Sequence, residues 1–138
     1  RFAIKDYPRE QQAELLTEDT SDGKHLTHYK NGAVAKEFTY KNHLLHGLYR
    51  SYYEDGTLNQ ERTYNSGKLD GIYKAYDEFG VAYFEIIYRD GKQDGITNIY
   101  FKSGARQYQD IYKDGVRIHR NTYSESGELL FSQDETFL

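Results

Sequence analysis

Glycine keeps time along this chain. Gly23, Gly47, Gly71 and Gly95 are spaced by 24 residues, and so are Gly32, Gly56, Gly80 and Gly104. A third series, Gly67, Gly91 and Gly115, has the same interval. Tyrosine follows the beat in two columns: Tyr52, Tyr76 and Tyr100, and Tyr40, Tyr64, Tyr88 and Tyr112. A fifth copy, one residue shorter, holds Tyr123 and Gly127 in the matching places. A fixed period of this size means that one supersecondary unit is written several times and stacked on itself.

The unit "GLYRSYYEDGTLNQERTYNSGKLD" contains two Tyr-rich runs of about eight residues, each closed by a Gly-centred turn such as "EDG" or "NSG". Asp, Asn and Gly accept the positive φ that tight hairpin turns require. The runs use Tyr, Phe, Ile, Val and Thr, which favour pleated strands, and the one proline, Pro8, stands outside them. Apolar residues do not recur at 3.6, which disfavours helical repeats. The reading is all-β: a single elongated, twisted antiparallel meander of 24-residue β-hairpins across residues 23–127, reaching about 40–50 Å at roughly 4.8 Å per strand. Residues 1–22 form a cap segment, in which "PREQQAELL" fits a short helix and equally a cap strand. Residues 128–138 form a last strand and tail.

Alternation assigns faces. Counted from each opening Gly, the two Tyr columns share a parity with Leu48, Ile72, Ile96, Phe38, Phe84, Ile86 and Tyr108, and this set is expected to be the main buried face. A bulge at the turn would exchange the faces of the second strand. The opposite set holds Tyr29, Tyr49, Tyr53, Tyr73, Tyr83, Phe101, Thr63, Ile87 and Ile111 with Glu37, Glu61 and Glu85. Tyr is enriched at interfaces, so Tyr49, Tyr53, Tyr73, Tyr83, Glu37, Glu61 and Glu85 are the candidate partner-binding face, suited to a basic protein.

Composition narrows the classes. With Tyr 15 and Phe 7 the chain is too aromatic for a disordered segment despite 29% charged residues. A net charge of -4 disfavours nucleic acid and anionic lipid. Cys 0 removes disulfides and thiolate chemistry. No stretch has the roughly 20 apolar residues of a membrane helix, so no direct membrane insertion is expected. The motifs "HLTH" and "HLLH" are histidines of strand and turn: His25 and His28 point to opposite sides, and His43 and His46 lack a third ligand, so no metal and no cofactor is assigned. The Glu column reads as a solvated stripe before it reads as a catalytic pair.

The pattern G-x-Y-x-x-Y-x-x-x-G, followed by a Tyr eight residues after that Gly and then x-x-G, resembles the MORN repeat variant over about residues 23–127. His43, His28, Thr97 and His119 depart from it. The resemblance implies a bacterial binding protein without shared catalytic residues, of the antitoxin or immunity kind (the YwqK type), which neutralises a partner toxin by binding. It fits a cytoplasmic protein or, if a leader preceded Arg1, an envelope one. A structural or envelope-associated repeat protein is the second reading, and a hydrolase using the Glu column the third. The residues do not state an oligomeric state.

Overall fold

A computed structural model describes residues 19–135. The helix-or-strand question at Pro8–Leu16 lies outside the described residues. Thirteen strands form one open antiparallel sheet. In chain order they are β1 (Gly23–His28), β2 (Val34–Lys41), β3 (Leu44–Leu45), β4 (Gly47–Tyr52), β5 (Leu58–Asn65), β6 (Lys68–Leu69) and β7 (Gly71–Tyr76). Then follow β8 (Ala82–Arg89), β9 (Lys92–Gln93), β10 (Gly95–Tyr100), β11 (Arg106–Lys113), β12 (Val116–Tyr123) and β13 (Leu129–Asp134). The two-residue strands β3, β6 and β9 fold back on β2, β5 and β8, and the other ten pair side by side in sequence order. The hairpin meander is thus the architecture of the described residues.

Each unit needs two kinds of turn. Within a hairpin, five residues reverse the chain: Tyr53 N–H donates to the Thr57 carbonyl at 2.8 Å, and Gly56 N–H donates to the Tyr53 carbonyl at 2.9 Å. Asp55 Oδ1 accepts Thr57 N–H at 2.9 Å, as Asn31 Oδ1 accepts Ala33 N–H in the preceding unit. At the end of β2, β5, β8 and β11 the turn is tighter, with two central residues at positive φ: Asn42 and His43, Ser66 and Gly67, Asp90 and Gly91, Asp114 and Gly115. This is the mirror-image turn whose twist suits paired strands. His43 therefore takes a left-handed backbone (φ 66°) where its counterparts use Gly. A side chain about one unit earlier braces the first three of these turns: Asp22 Oδ1 accepts Asn42 N–H at 2.8 Å, His46 Nδ1 accepts Ser66 N–H at 3.2 Å, and Asp70 Oδ1 accepts Asp90 N–H at 3.1 Å.

A corner glycine then starts the next unit. Gly71 has φ 118°, and a Cβ there would stand 3.1 Å from Thr63 Cβ. After this corner β7 pairs with β5 at only two positions, Gln60↔Ala75 and Glu61↔Lys74, before it becomes the first strand of its own hairpin. The same pattern links β2 to β4 and β8 to β10.

The buried face differs from the parity expectation. Leu48, Ile72 and Ile96 are 46%, 48% and 44% exposed, whereas Tyr49 is 3% exposed. The cause is a bulge in each hairpin. Ser51 pairs with Gln60 but Tyr52 pairs with Leu58, so one extra residue on β5 exchanges the parity of the second strand. Tyr40, Tyr64, Tyr88 and Tyr112 consequently lie opposite Gly23, Gly47, Gly71 and Gly95, on the same face as Tyr49 and Tyr73. This inner face carries Phe38, Tyr49, Ala75, Thr97 and Asp110, all buried. Tyr52, Tyr76 and Tyr100 belong to the outer face with Leu48, Ile72 and Ile96.

Candidate binding surfaces

The inner face is aromatic and cationic. The Arg62 guanidinium lies between two rings, 4.9 Å from the centre of Tyr49 and 5.0 Å from that of Tyr73, and donates to Gln60 Oε1 and the Tyr64 hydroxyl. Farther on, Asp110 is fully buried and receives both forks of Arg120, Nε to Oδ1 and a terminal nitrogen to Oδ2, each at 2.8 Å. Arg120 also stacks 3.9 Å over Tyr108. Rings and guanidinium planes here shield one another across neighbouring strands, which lets a one-layer sheet bury surface.

The outer face carries two rows. One is a cross-strand ladder in which Glu37 pairs with Arg50, Arg50 with Glu61, Glu61 with Lys74 and Lys74 with Glu85. Arg50 Nε donates to Glu61 at 2.8 Å, Lys24 Nζ reaches Glu37 at 3.0 Å, and Lys74 Nζ reaches Glu85 at 3.4 Å. The Tyr52 hydroxyl donates to Glu37 at 2.5 Å, and the Tyr100 hydroxyl donates to Glu85. Those hydroxyls, with Lys24 and Lys74, hold the Glu37 and Glu85 carboxyls below the usual carboxylate range. Burial, reinforced by Glu85, pushes the Tyr100 phenol up to about 12. A general acid needs a carboxyl shifted the other way. The second row is aliphatic: Ile72 opposite Ile87 and Ile96 opposite Ile111, all exposed.

The seven candidate partner-binding residues therefore do not share one face. Tyr49 and Tyr73 lie on the inner face; Glu37, Glu61 and Glu85 form the outer ladder. The bulge that exchanges strand parity separates them. Tyr53 and Tyr83 come together elsewhere, along the edge formed by the five-residue turns. Of the histidine motifs, His43 Nδ1 meets Thr20 Oγ1 at 2.8 Å and His46 braces a turn. Among the described residues, no three His, Asp or Glu side chains converge as metal ligands.

That turn edge contains what the motif reading missed. The Tyr29 hydroxyl donates to the Tyr52 carbonyl at 2.6 Å, bridging the first unit to the second, and the Tyr53 hydroxyl donates to the Tyr76 carbonyl at 2.7 Å, bridging the second to the third. The next residue in this column is Asp77, which is too short to reach the fourth unit. Its Oδ1 turns inward and accepts Phe79 N–H and Val81 N–H, each at 2.9 Å. A groove of about 680 Å³ opens where the third bridge would lie, lined by Tyr53, Asp77, Glu78, Phe79, Val81, Tyr83, Lys102 and Ser103. Phe79 stands at its rim, 84% exposed. In its column the other turns place Asn31, Asp55 and Ser103, whose side chains accept a turn N–H two residues on. Phe79 has no such acceptor, and Asp77 supplies it instead. The signal was present in the sequence: "EFG" (Glu78–Gly80) stands where the other turns write Asn, Asp or Ser before Gly.

Together these features define a tandem β-hairpin repeat protein with an irregular, aromatic turn edge. The MORN repeat variant matches residues 21–42 and 45–66, most of the first two units. The units after them continue the same strand order and turn geometry. No curated protein matches the chain.

Proposed function

We propose that the chain is a non-enzymatic protein-binding module whose turn-edge groove seats an apolar side chain of a basic partner, in the manner of an antitoxin or immunity protein. The supporting observation is Phe79: a large aromatic ring held in water at a position that elsewhere serves the turn. Exposed aromatics beside a concave, partly apolar floor are typical anchors of interfaces. The charge around it has one sign in excess. Of the charged residues that line the groove, Asp77 and Glu78 outnumber Lys102, and the whole chain carries -4. Such a rim steers a cationic partner and repels an acidic one.

The test is calorimetric titration with the purified product of an adjacent gene, together with a growth-protection assay. The wild-type chain binds and protects. Phe79→Ser weakens binding about tenfold or more, as expected of one anchor side chain. Glu61→Gln with Glu85→Gln leaves both readouts unchanged, since no chemistry is assigned to that ladder. A neighbouring product that neither binds nor is neutralised removes the antitoxin reading. Binding that ignores Phe79 removes the groove.

A further inference from the structure

The repeat has a built-in docking rule. In the first three units the strand after the five-residue turn receives, on its far side, the first strand of the next unit at the two positions just past the bulge, and in the fourth the pairing starts at the same two positions and runs on. Gln60 and Glu61 receive Ala75 and Lys74; Phe84 and Glu85 receive Ile99 and Asn98. In the last unit the strand after the turn is β13, and its bulge is the same: Thr122 pairs with Phe131, but Tyr123 pairs with Leu129. The residues equivalent to the docking pair are Phe131 and Ser132. Among the described residues nothing pairs with their far side, and β13 is exposed throughout, with Phe131 at 66%.

The other edge of the described sheet, β1, is a first strand. Its residues equivalent to the incoming pairs Ala75 and Lys74, or Ile99 and Asn98, are Thr27 and Leu26. The geometry points to a second copy of this chain as the occupant of the β13 edge, its β1 adding as the next strand of the series. Applying the interior register, Phe131 meets Thr27 of the second copy and Ser132 meets Leu26; carried on as β12 runs along β11, Gln133 meets His25 and Asp134 meets Lys24. The first pair reproduces the aromatic–threonine pair that Tyr108 and Thr122 make within the chain. The last is an opposite-charge pair: the side chains are 88% exposed at Asp134 and 64% at Lys24, and each already meets a partner in its own chain, His119 and Glu37, with which the new pair would be shared. Opposite charges directly across strands stabilise pairing, and like charges oppose it. β13 itself carries no proline, lysine or arginine, the usual devices that keep an edge strand from pairing. A contact of this kind is heterologous, so it extends head to tail and does not close as a two-fold dimer.

The test uses the 138-residue chain. Sedimentation equilibrium over a concentration series reaching the millimolar range is expected to show a weight-average mass rising past twice the 16.2 kDa of one chain. Phe131→Lys returns the mass to one chain with an unchanged thermal midpoint, because its side chain is exposed; Asp134→Lys also returns it, with a lowered midpoint because it removes the His119 contact. Lys24→Asp combined with Asp134→Lys restores association. Mixing Thr27→Cys with Phe131→Cys under mild oxidation yields the mixed disulfide. A constant mass of one chain overturns the proposal, as does association that survives Phe131→Lys. A Phe131→Cys homodimer in place of the mixed product also overturns it, because it would show two β13 edges pairing about a two-fold axis.

Discussion

The second and fourth units close with the same kind of tight turn, and the chain leaves those turns differently. After the tight turn at Ser66–Gly67 the chain writes Lys68-Leu69-Asp70-Gly71; after the one at Asp114–Gly115 it writes Val116-Arg117-Ile118-His119. With Gly71, the returning chain pairs for two residues as β6, turns a corner, and touches β5 again at only two positions. With His119 there is no corner. β12 runs on for eight residues and pairs with β11 at six positions, Tyr108↔Thr122 to Lys113↔Val116. One glycine per unit thus decides whether a strand steps sideways into a new hairpin or lies back along the old one. The straight return also brings Arg120 opposite Asp110. The repeating units instead keep their ionic ladder on the outer face, half in water.

This contrast is sharpest in the ion pairs. Asp110→Ala removes a fully buried carboxylate and strands Arg120 over Tyr108, so we expect a loss of about 3–5 kcal/mol. Glu61→Ala, which breaks the partly exposed pair with Arg50, should cost no more than about 1 kcal/mol. Urea denaturation of the two variants measures the difference, and equal losses would mean that the C-terminal pair is no better sheltered than the ladder. The corner comes next in size. Gly71→Ala forces a Cβ at φ 118° against Thr63 and should destabilise by about 1–3 kcal/mol. His119→Gly, which restores the corner glycine without the corner, should cost about 1 kcal/mol from strand entropy, apart from its lost hydrogen bonds. A Gly71→Ala variant as stable as the parent would show that the sideways step does not need a left-handed corner.

Most of this architecture was legible because its constraints are local. Turns with positive φ favour Gly, Asn and Asp, and those residues recur visibly at 24-residue intervals. What local pattern could not give was the face. A single bulged residue on each second strand reverses the parity, and nothing in "TLNQERTY" marks which residue bulges. Leu48 and Ile72 therefore read as core although they face water, and Tyr49 and Tyr73 read as partners of Glu61 and Glu85 although a sheet separates them. Asp110 was hidden for a related reason: its burial depends on Arg120, which arrives opposite it only because the fifth unit lacks its corner. Phe79 was readable in principle, as an aromatic in a column of turn formers. It is found by comparing copies, since the period itself continues through it.

The smallest effect tests how the last strand is held. His119 Nδ1 meets Asp134 at 2.7 Å and its Nε2 meets Asn121 at 2.9 Å and Ser132 at 3.1 Å, three contacts that tie β12 to its own face and to β13. Hydrogen bonding to Asp134, then to Asn121, raises the imidazole above its usual value. A group raised by folding contributes stability that is fully present below its unfolded value, near 6.5, and is lost as pH rises through the folded value. The outer ladder has the opposite sign: Glu37 and Glu85, lowered by folding, contribute above about 4.5 and lose that contribution as pH falls through their folded values. Amide exchange should therefore speed up at Ser132–Asp134 between about pH 6 and about pH 8 relative to β5 and β8, after correction for intrinsic rates. His119→Asn should flatten that difference. If the corrected rates at β13 and β8 change in parallel, the imidazole does not hold the edge strand, and the backbone ladder alone keeps β13 in place.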